Sequence, residues 1–420
     1  NLQIPPIRLK YNMKWEYNTI MKKFSSRAKK YVSPVLGKYF PDLEVTKGRG
    51  CYLFGTDGKK YLDFSSGIAV CATGHAHPKV VAAAQKQLKN LIHICIGVAC
   101  YESYVVLAEK LSKIVPIKEA QIFLCQSGSE AVEAAIKLAK YATKKPGLIA
   151  LKGAFHGRTL GALSLTTSKM KYRDGYEPLL PNVYIADPNL QSLEEIFKNN
   201  EIAALIFEPI LGEGGYLPYS PEFILGLRKL TQQYGVLLIA DEIQSGMGRT
   251  GKWFAAEHFG VAPDIICLSK GIASGFPLGA IAASAELMAK WSPGAHGGTF
   301  GGNPVCCAAA IATIEVIQKN KLLPSATRLG KYLMAKLKKL QQKHPAIKEV
   351  RGLGLMIGVD LQNSDAVKRI INHCLQEGLV IIPTGAEGTV IRFIPPLIVK
   401  KPEIDRALKI FESALKHAYL

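Results

Sequence analysis

The chain has 420 residues, 48% hydrophobic and 20% charged, with 53 Lys/Arg against 33 Asp/Glu and a formal net charge of +20. That balance excludes a disordered or collagen-like chain, and at roughly 150 residues per domain it predicts two or three lobes around a large core. No run approaches the ~18 apolar residues of a membrane span, and residues 1–30 lack the central apolar stretch of a secretory leader.

The N-terminus carries much of the charge: residues 1–50 hold 11 Lys/Arg and 3 acids, with Lys22, Lys23, Arg27, Lys29 and Lys30 clustered. Such a cluster reads first as a solvated face or loose terminus. A nucleic-acid or acidic-lipid patch and a transit segment are the other readings. Residues 50–64 predict an antiparallel hairpin turning at Asp57-Gly58. Strands are expected at Gln121–Cys125, Leu148–Lys152, Ala203–Phe207, Val236–Ala240, Asp264–Ser269 and Gly279–Ala283. Helices are expected between them, notably Glu130–Ala142 and Pro221–Tyr234. That alternation argues for a mostly parallel sheet covered on both faces. Beyond it, a long helix over 325–342 precedes strands Lys348–Leu361, Leu379–Pro383 and Val390–Phe393, and an amphipathic helix Asp405–Tyr419 closes the chain. The nine cysteines show no Cys-x-x-Cys spacing, so they read as free thiols in a reducing compartment, with no metal site.

Ligands of open α/β sheets sit at the carboxyl ends of strands. Asp241 follows one predicted strand and Lys270 another. Ser127-Gly128-Ser129 follows a third and opens a helix, whose free N–H groups and dipole make an anion site. Taken singly, these are a turn acid, a solvated lysine and a helix cap. Taken together, a phosphate cradle, a buried acid and a lysine are the parts that hold pyridoxal 5'-phosphate.

Longer runs point the same way. Asp241 to Gly251 (Asp-Glu-Ile-Gln-Ser-Gly-Met-Gly-Arg-Thr-Gly), Ser269-Lys-Gly271, Gly275-Phe-Pro-Leu-Gly279, Phe155-His-Gly-Arg-Thr159, Glu208-Pro209, Gly212-Glu-Gly-Gly215 and Gly298-Thr-Phe-Gly-Gly-Asn-Pro304 follow in order. The chain from about residue 35 onward resembles the class III (ω-amino) aminotransferases. The resemblance implies a type I, aspartate-aminotransferase-like fold. Residues 76–315 would form the large cofactor domain, 35–75 and 316–420 a smaller α+β lobe from both termini, and 1–34 a basic extension.

The resemblance also implies roles. Lys270 would be the Schiff-base lysine and proton shuttle, and Asp241 the partner of the pyridine nitrogen. Gln244 would reach the ring hydroxyl and Phe155 would stack on the ring. Ser127, Gly128 and Ser129 would hold the phosphate. Thr299 would reach the phosphate of the neighbouring subunit, making a homodimer part of the site. Arg158 and Arg392 would clamp carboxylates, with Glu208 pairing Arg392 when the donor leaves it without one. Arg249 and Arg351 are further carboxylate candidates. Ile68 stands where ornithine aminotransferases tend to carry Tyr.

The implied reaction moves an amino group from an ω-amino acid to 2-oxoglutarate, giving glutamate. 4-Aminobutyrate is the favoured donor, with succinate semialdehyde as product. Acetylornithine aminotransferase is the alternative, and a binder of nucleic acid or anionic surfaces the remote one. A cytoplasmic enzyme without nucleic-acid or membrane partners is expected, with organelle targeting by the N-terminus left open.

Overall fold

The computed structural model describes residues 24–419. Lys22 and Lys23 therefore lie outside the described residues. Arg27, Lys29 and Lys30 sit on a short helix, Phe24–Tyr31, that buries none of its side chains, as a solvated face does.

Seven strands form the central sheet: β1 (Ala120–Cys125), β2 (Gly147–Leu151), β3 (Val183–Ala186), β4 (Ile202–Phe207), β5 (Leu237–Asp241), β6 (Ile265–Leu268) and β7 (Gly279–Ser284). Their order is β1-β7-β6-β5-β4-β2-β3. The pairs from β6 to β3 are parallel, and β7 runs antiparallel to β6 and β1. Strands β2 and β4 are buried along their whole length. Along β4, Leu205 and Phe207 join one apolar cluster while Ala204 and Ile206 join another. Alternate side chains thus feed cores on opposite faces, which is why the run reads as continuously apolar rather than alternating.

Helix Gly128–Thr143 begins two residues before the predicted start, and the Glu130 amide donates to the Ser127 hydroxyl at 3.2 Å. Its buried face, Val132, Ala135, Ile136 and Ala139, is the predicted one. The Asp57-Gly58 hairpin is present, joining Tyr52–Gly55 to Lys60–Asp63 with Gly58 at φ +75°.

Two predicted strands are each two. Residues 348–361 form Glu349–Leu353 and Met356–Asp360, an antiparallel pair folded back at Gly354, whose φ is +55°. Residues 379–384 split between sheets: Leu379–Val380 runs parallel to Lys60–Asp63, while Ile382–Thr384 pairs antiparallel with Val390–Phe393. β-propensity marks a run as extended and says nothing of its partner.

One local feature has no sequence pattern behind it. Ser66, Gly67, Ile68 and Ala69 have φ values of +43°, +65°, +65° and +63°. They make one turn of left-handed helix, which costs roughly 1–2 kcal/mol for each residue with a Cβ.

Candidate active site

The carboxyl ends of β1, β2, β4, β5 and β6 converge on a partly open cavity of about 200 Å³, lined by Ser127, Gly128, Ser129, Phe155, His156, Glu208, Asp241, Gln244, Ser269 and Lys270 among others. Asp241 ends β5 rather than following it, and Lys270 opens a short 3-10 turn after Ser269. Because β7 is antiparallel, its first residue, Gly279, lies at this same end. A Cβ there would come within 2.3 Å of the Ser127 carbonyl, so glycine lets the helix N-terminus approach the sheet.

Asp241 is held on both oxygens. One pairs with His156 Nδ1 at 2.7 Å and the other accepts the Ile243 amide at 3.1 Å. Burial holds the Lys270 ammonium below the usual lysine range, against the opposing pull of Glu213, Asp241 and Glu208. An amine so placed gives up its proton more easily than a solvated one. Gln244 accepts from the buried Tyr216 hydroxyl at 2.8 Å. The Phe155 ring meets Tyr172 edge-on at 5.8 Å. Arg158 lies exposed with its guanidinium 3.7 Å from the Tyr172 ring centroid, and its amide donates to Ser129 Oγ at 3.1 Å.

Arg392, in Val390–Phe393, is fully buried, and its partner is Glu213, at 2.5 Å. The Tyr39 hydroxyl adds a contact at 3.2 Å. This corrects the expected pairing with Glu208. Glu208 instead accepts the amides of Phe155 at 2.8 Å and Gly212 at 2.9 Å, so both of its oxygens are committed to backbone. Burial, with Asp241 nearby and His156 opposing, pushes its pKa up to about 7. Burial also works against the charge of Arg392, but Glu213 outweighs it and holds the guanidinium above its ordinary range. Glu213 is correspondingly held below the usual carboxylate range: Arg392 overcomes the effect of burial.

Two other arginines go elsewhere. Arg249 is buried against the Leu355 and Pro395 carbonyls, and Arg351 pairs with Glu349 and Asp360. Both are engaged away from the cavity lining. Thr299 stands exposed in the loop before Asn303, outside the cavity of its own chain. Ile68 is half-buried on the left-handed turn, which packs against the Lys270 segment. The sequence reading gave no role to Glu213, His156, Tyr39, Tyr216 or Lys169. Lys169 is half-buried and senses Glu213 and Arg392, with burial lowering its pKa. Glu213 and His156 lie within the Gly212–Gly215 and Phe155–Thr159 motifs, whereas Tyr39 and Lys169 carry no local signal.

Residues 35–415 match the family model "Aminotransferase class-III". The chain belongs to the class III aminotransferases. It is 42% identical over 392 residues to a 5-aminovalerate aminotransferase of Pseudomonas putida, covering 88% of this chain and 92% of that one. It is 39% identical over 421 residues to the Escherichia coli 4-aminobutyrate aminotransferase (94% and 99%) and 42% over 367 residues to an Archaeoglobus fulgidus acetylornithine aminotransferase (87% and 94%). Its fold superposes on the Toxoplasma gondii ornithine aminotransferase with a TM-score of 0.89 at 31% identity, covering 94% and 95%.

Pyridoxal phosphate is the cofactor of this family, and the cavity suits it. A helix N-terminus lies at one end for the phosphate. A carboxylate is fixed by His156, and an amine is buried in the same space. No described helix is long and apolar enough to cross a membrane.

Proposed function

We propose that this class III aminotransferase takes the amino group of an ω-amino acid, 4-aminobutyrate foremost, and passes it to 2-oxoglutarate, yielding succinate semialdehyde and glutamate. The observation that carries this reading is the buried Arg392–Glu213 pair. Glutamate and 2-oxoglutarate bring a carboxylate beside the reacting carbon, and Arg392 can bind it bidentately once Glu213 releases it. An ω-amino donor brings none there. Arg392 would then be an unpaired buried charge, worth a penalty of several kcal/mol, and Glu213 removes that penalty. One site thus serves two substrates of different shape.

Pyridoxal phosphate supplies an aldehyde that captures the amine and a ring that takes up electron density. The chain does the rest. Lys270 would hold the cofactor through its amine and, when free, would serve as the base and then the acid that moves the donor's proton. Its lowered pKa suits both tasks. Asp241, oriented by His156, would hold the ring nitrogen in its cationic form. Phe155 would cover one ring face, Gln244 would reach the ring hydroxyl, and Ser127, Gly128 and Ser129 would hold the phosphate. Arg158 and Lys169 provide positive charge at the mouth for the donor's distal carboxylate. Exposed Ile92 and Phe300 lie at the Thr299 loop: Phe300 follows Thr299 and its ring meets His93, and Asn303 donates to the Ile92 carbonyl. They support a homodimer in which Thr299 reaches the partner's phosphate.

The acetylornithine relative supports a second donor, and the 5-aminovalerate relative a third, one methylene longer than 4-aminobutyrate. A donor panel with 2-oxoglutarate decides among them. 4-Aminobutyrate should give the highest kcat/KM, from a yellow protein eluting at twice 45.7 kDa. A higher value for N-acetylornithine or 5-aminovalerate would reassign the donor.

A further inference from the structure

We infer that Asp63 and His75, which lie outside the cavity, are positioning residues for Lys270 and act through the left-handed turn Ser66–Ala69. The inference rests on the reading that Lys270 carries the cofactor.

Three residues with a Cβ hold left-handed backbone in that turn, and such strain persists only where the surroundings over-determine it. Asp63 supplies the determination on one side. Its Oδ1 accepts the Ser65 amide at 2.8 Å, the Ser65 hydroxyl at 2.6 Å and the Ser66 amide at 3.0 Å. Its Oδ2 meets His75 Nε2 at 2.7 Å. Asp63 is anchored by the strand Lys60–Asp63, and His75 by reciprocal backbone bonds with Gly50 at 2.8 and 2.9 Å. The pair therefore bolts both ends of the segment to a sheet. The Ser66 hydroxyl adds a bond to the Ile394 carbonyl at 2.6 Å.

On its other side the segment meets Lys270. A Cβ on Gly271 would lie 3.5 Å from the Ala72 side chain and 3.8 Å from the Ala69 carbonyl. Thr73 donates both its amide and its hydroxyl to Ser274 Oγ at 2.9 Å. Lys270 and Ser274 are themselves left-handed, at φ +44° and +47°. Two strained segments thus brace each other, one ending in the Asp63–His75 bolt and the other bearing the lysine. Loosening the bolt lets the turn relax and moves Lys270 from its place, and a misplacement of ~1 Å can cost about 100-fold in rate.

The test compares wild type with Asp63→Asn and Ser274→Ala. Four quantities are read: hydrogen exchange of amides 68–71 in the apoprotein, growth of the visible band when pyridoxal phosphate is added to it, kcat, and KM. Both variants should exchange faster at 68–71. Both should gain the band and turn over about 10- to 100-fold more slowly, with KM for 2-oxoglutarate within about 3-fold of wild type. A folded Asp63→Asn protein with unchanged band growth and kcat overturns the inference. If that variant fails to fold, Ser274→Ala decides, and unchanged rates there overturn it equally. A wild-type protein that never gains the band refutes the cofactor reading instead, while the exchange comparison still reads the bolt.

Discussion

Asp241, Lys270, Ser127 and Glu208 all stand where strands of one sheet end, whereas Arg392, Glu213, Tyr39 and Lys169 meet from four distant stretches of chain. The first group lies between residues 127 and 270: Glu208, Asp241 and Lys270 stand at the ends of the neighbouring, buried strands β4, β5 and β6, and Ser127 follows β1, with β7 between β1 and β6. The second joins a strand near the C-terminus, the turn after Leu211, a segment near the N-terminus and the residue before a short 3-10 turn. A parallel sheet fixes its strand ends rigidly, which suits groups that must hold a cofactor in one pose. A mouth assembled from separate segments can exchange partners as substrates alternate. On the proposed function, the constant task of holding the cofactor and the variable task of meeting substrate carboxylates would fall to differently built parts of the molecule.

The largest expected effect lies in the cradle. Lys270→Ala should lose the visible band and at least about 10⁴-fold in turnover, with circular dichroism unchanged. Full activity in that variant would remove the cradle's central member. A smaller, selective effect is expected at the mouth. Glu213→Gln leaves the Arg392 charge without its counterion, a change worth roughly 3–5 kcal/mol for a buried pair. The half-reaction with the ω-amino donor should therefore fall by about 10²- to 10³-fold, while that with 2-oxoglutarate, which brings its own carboxylate, should change far less. Equal losses in both half-reactions would show that the mouth does not exchange partners.

The smallest effect is one of stability. Burial opposes the charge of His75, but its bond to Asp63, with a lesser contribution from Cys71, raises the pKa from 6.5 to about 10. A raised histidine contributes stability that is fully present below pH 6.5 and is lost as pH rises through about 10. The melting-temperature gap between wild type and His75→Gln should follow that course. A gap that widens above pH 8 would break the picture of a charged bolt.

Legibility in the sequence tracks the same division. Asp241 and Lys270 were readable because a polar residue ending an apolar run marks a strand's carboxyl end. Ser127 was readable because a hydroxyl before a helical period marks a cap. The Glu208 pairing was misread for a related reason: a sequence offers two acids near Arg392's role and cannot say which one faces it. Only folding shows Glu208 consumed by the Phe155 and Gly212 amides while Glu213, 179 residues from Arg392, meets the guanidinium. Leu379–Pro383 failed likewise, since an extended run does not name its neighbour.

By itself, then, the order of residues determined the alternating architecture and the family's cofactor, and marked the lysine proposed to serve it. These depend on periodicity and caps, interactions that close within a few residues. The tertiary structure alone decided which acid faces Arg392, that Tyr39 returns to the mouth, and that residues 66–69 wind left-handed beside Lys270. Those outcomes depend on packing and hydrogen bonds between distant segments, whose energies exist only once the chain has brought them together.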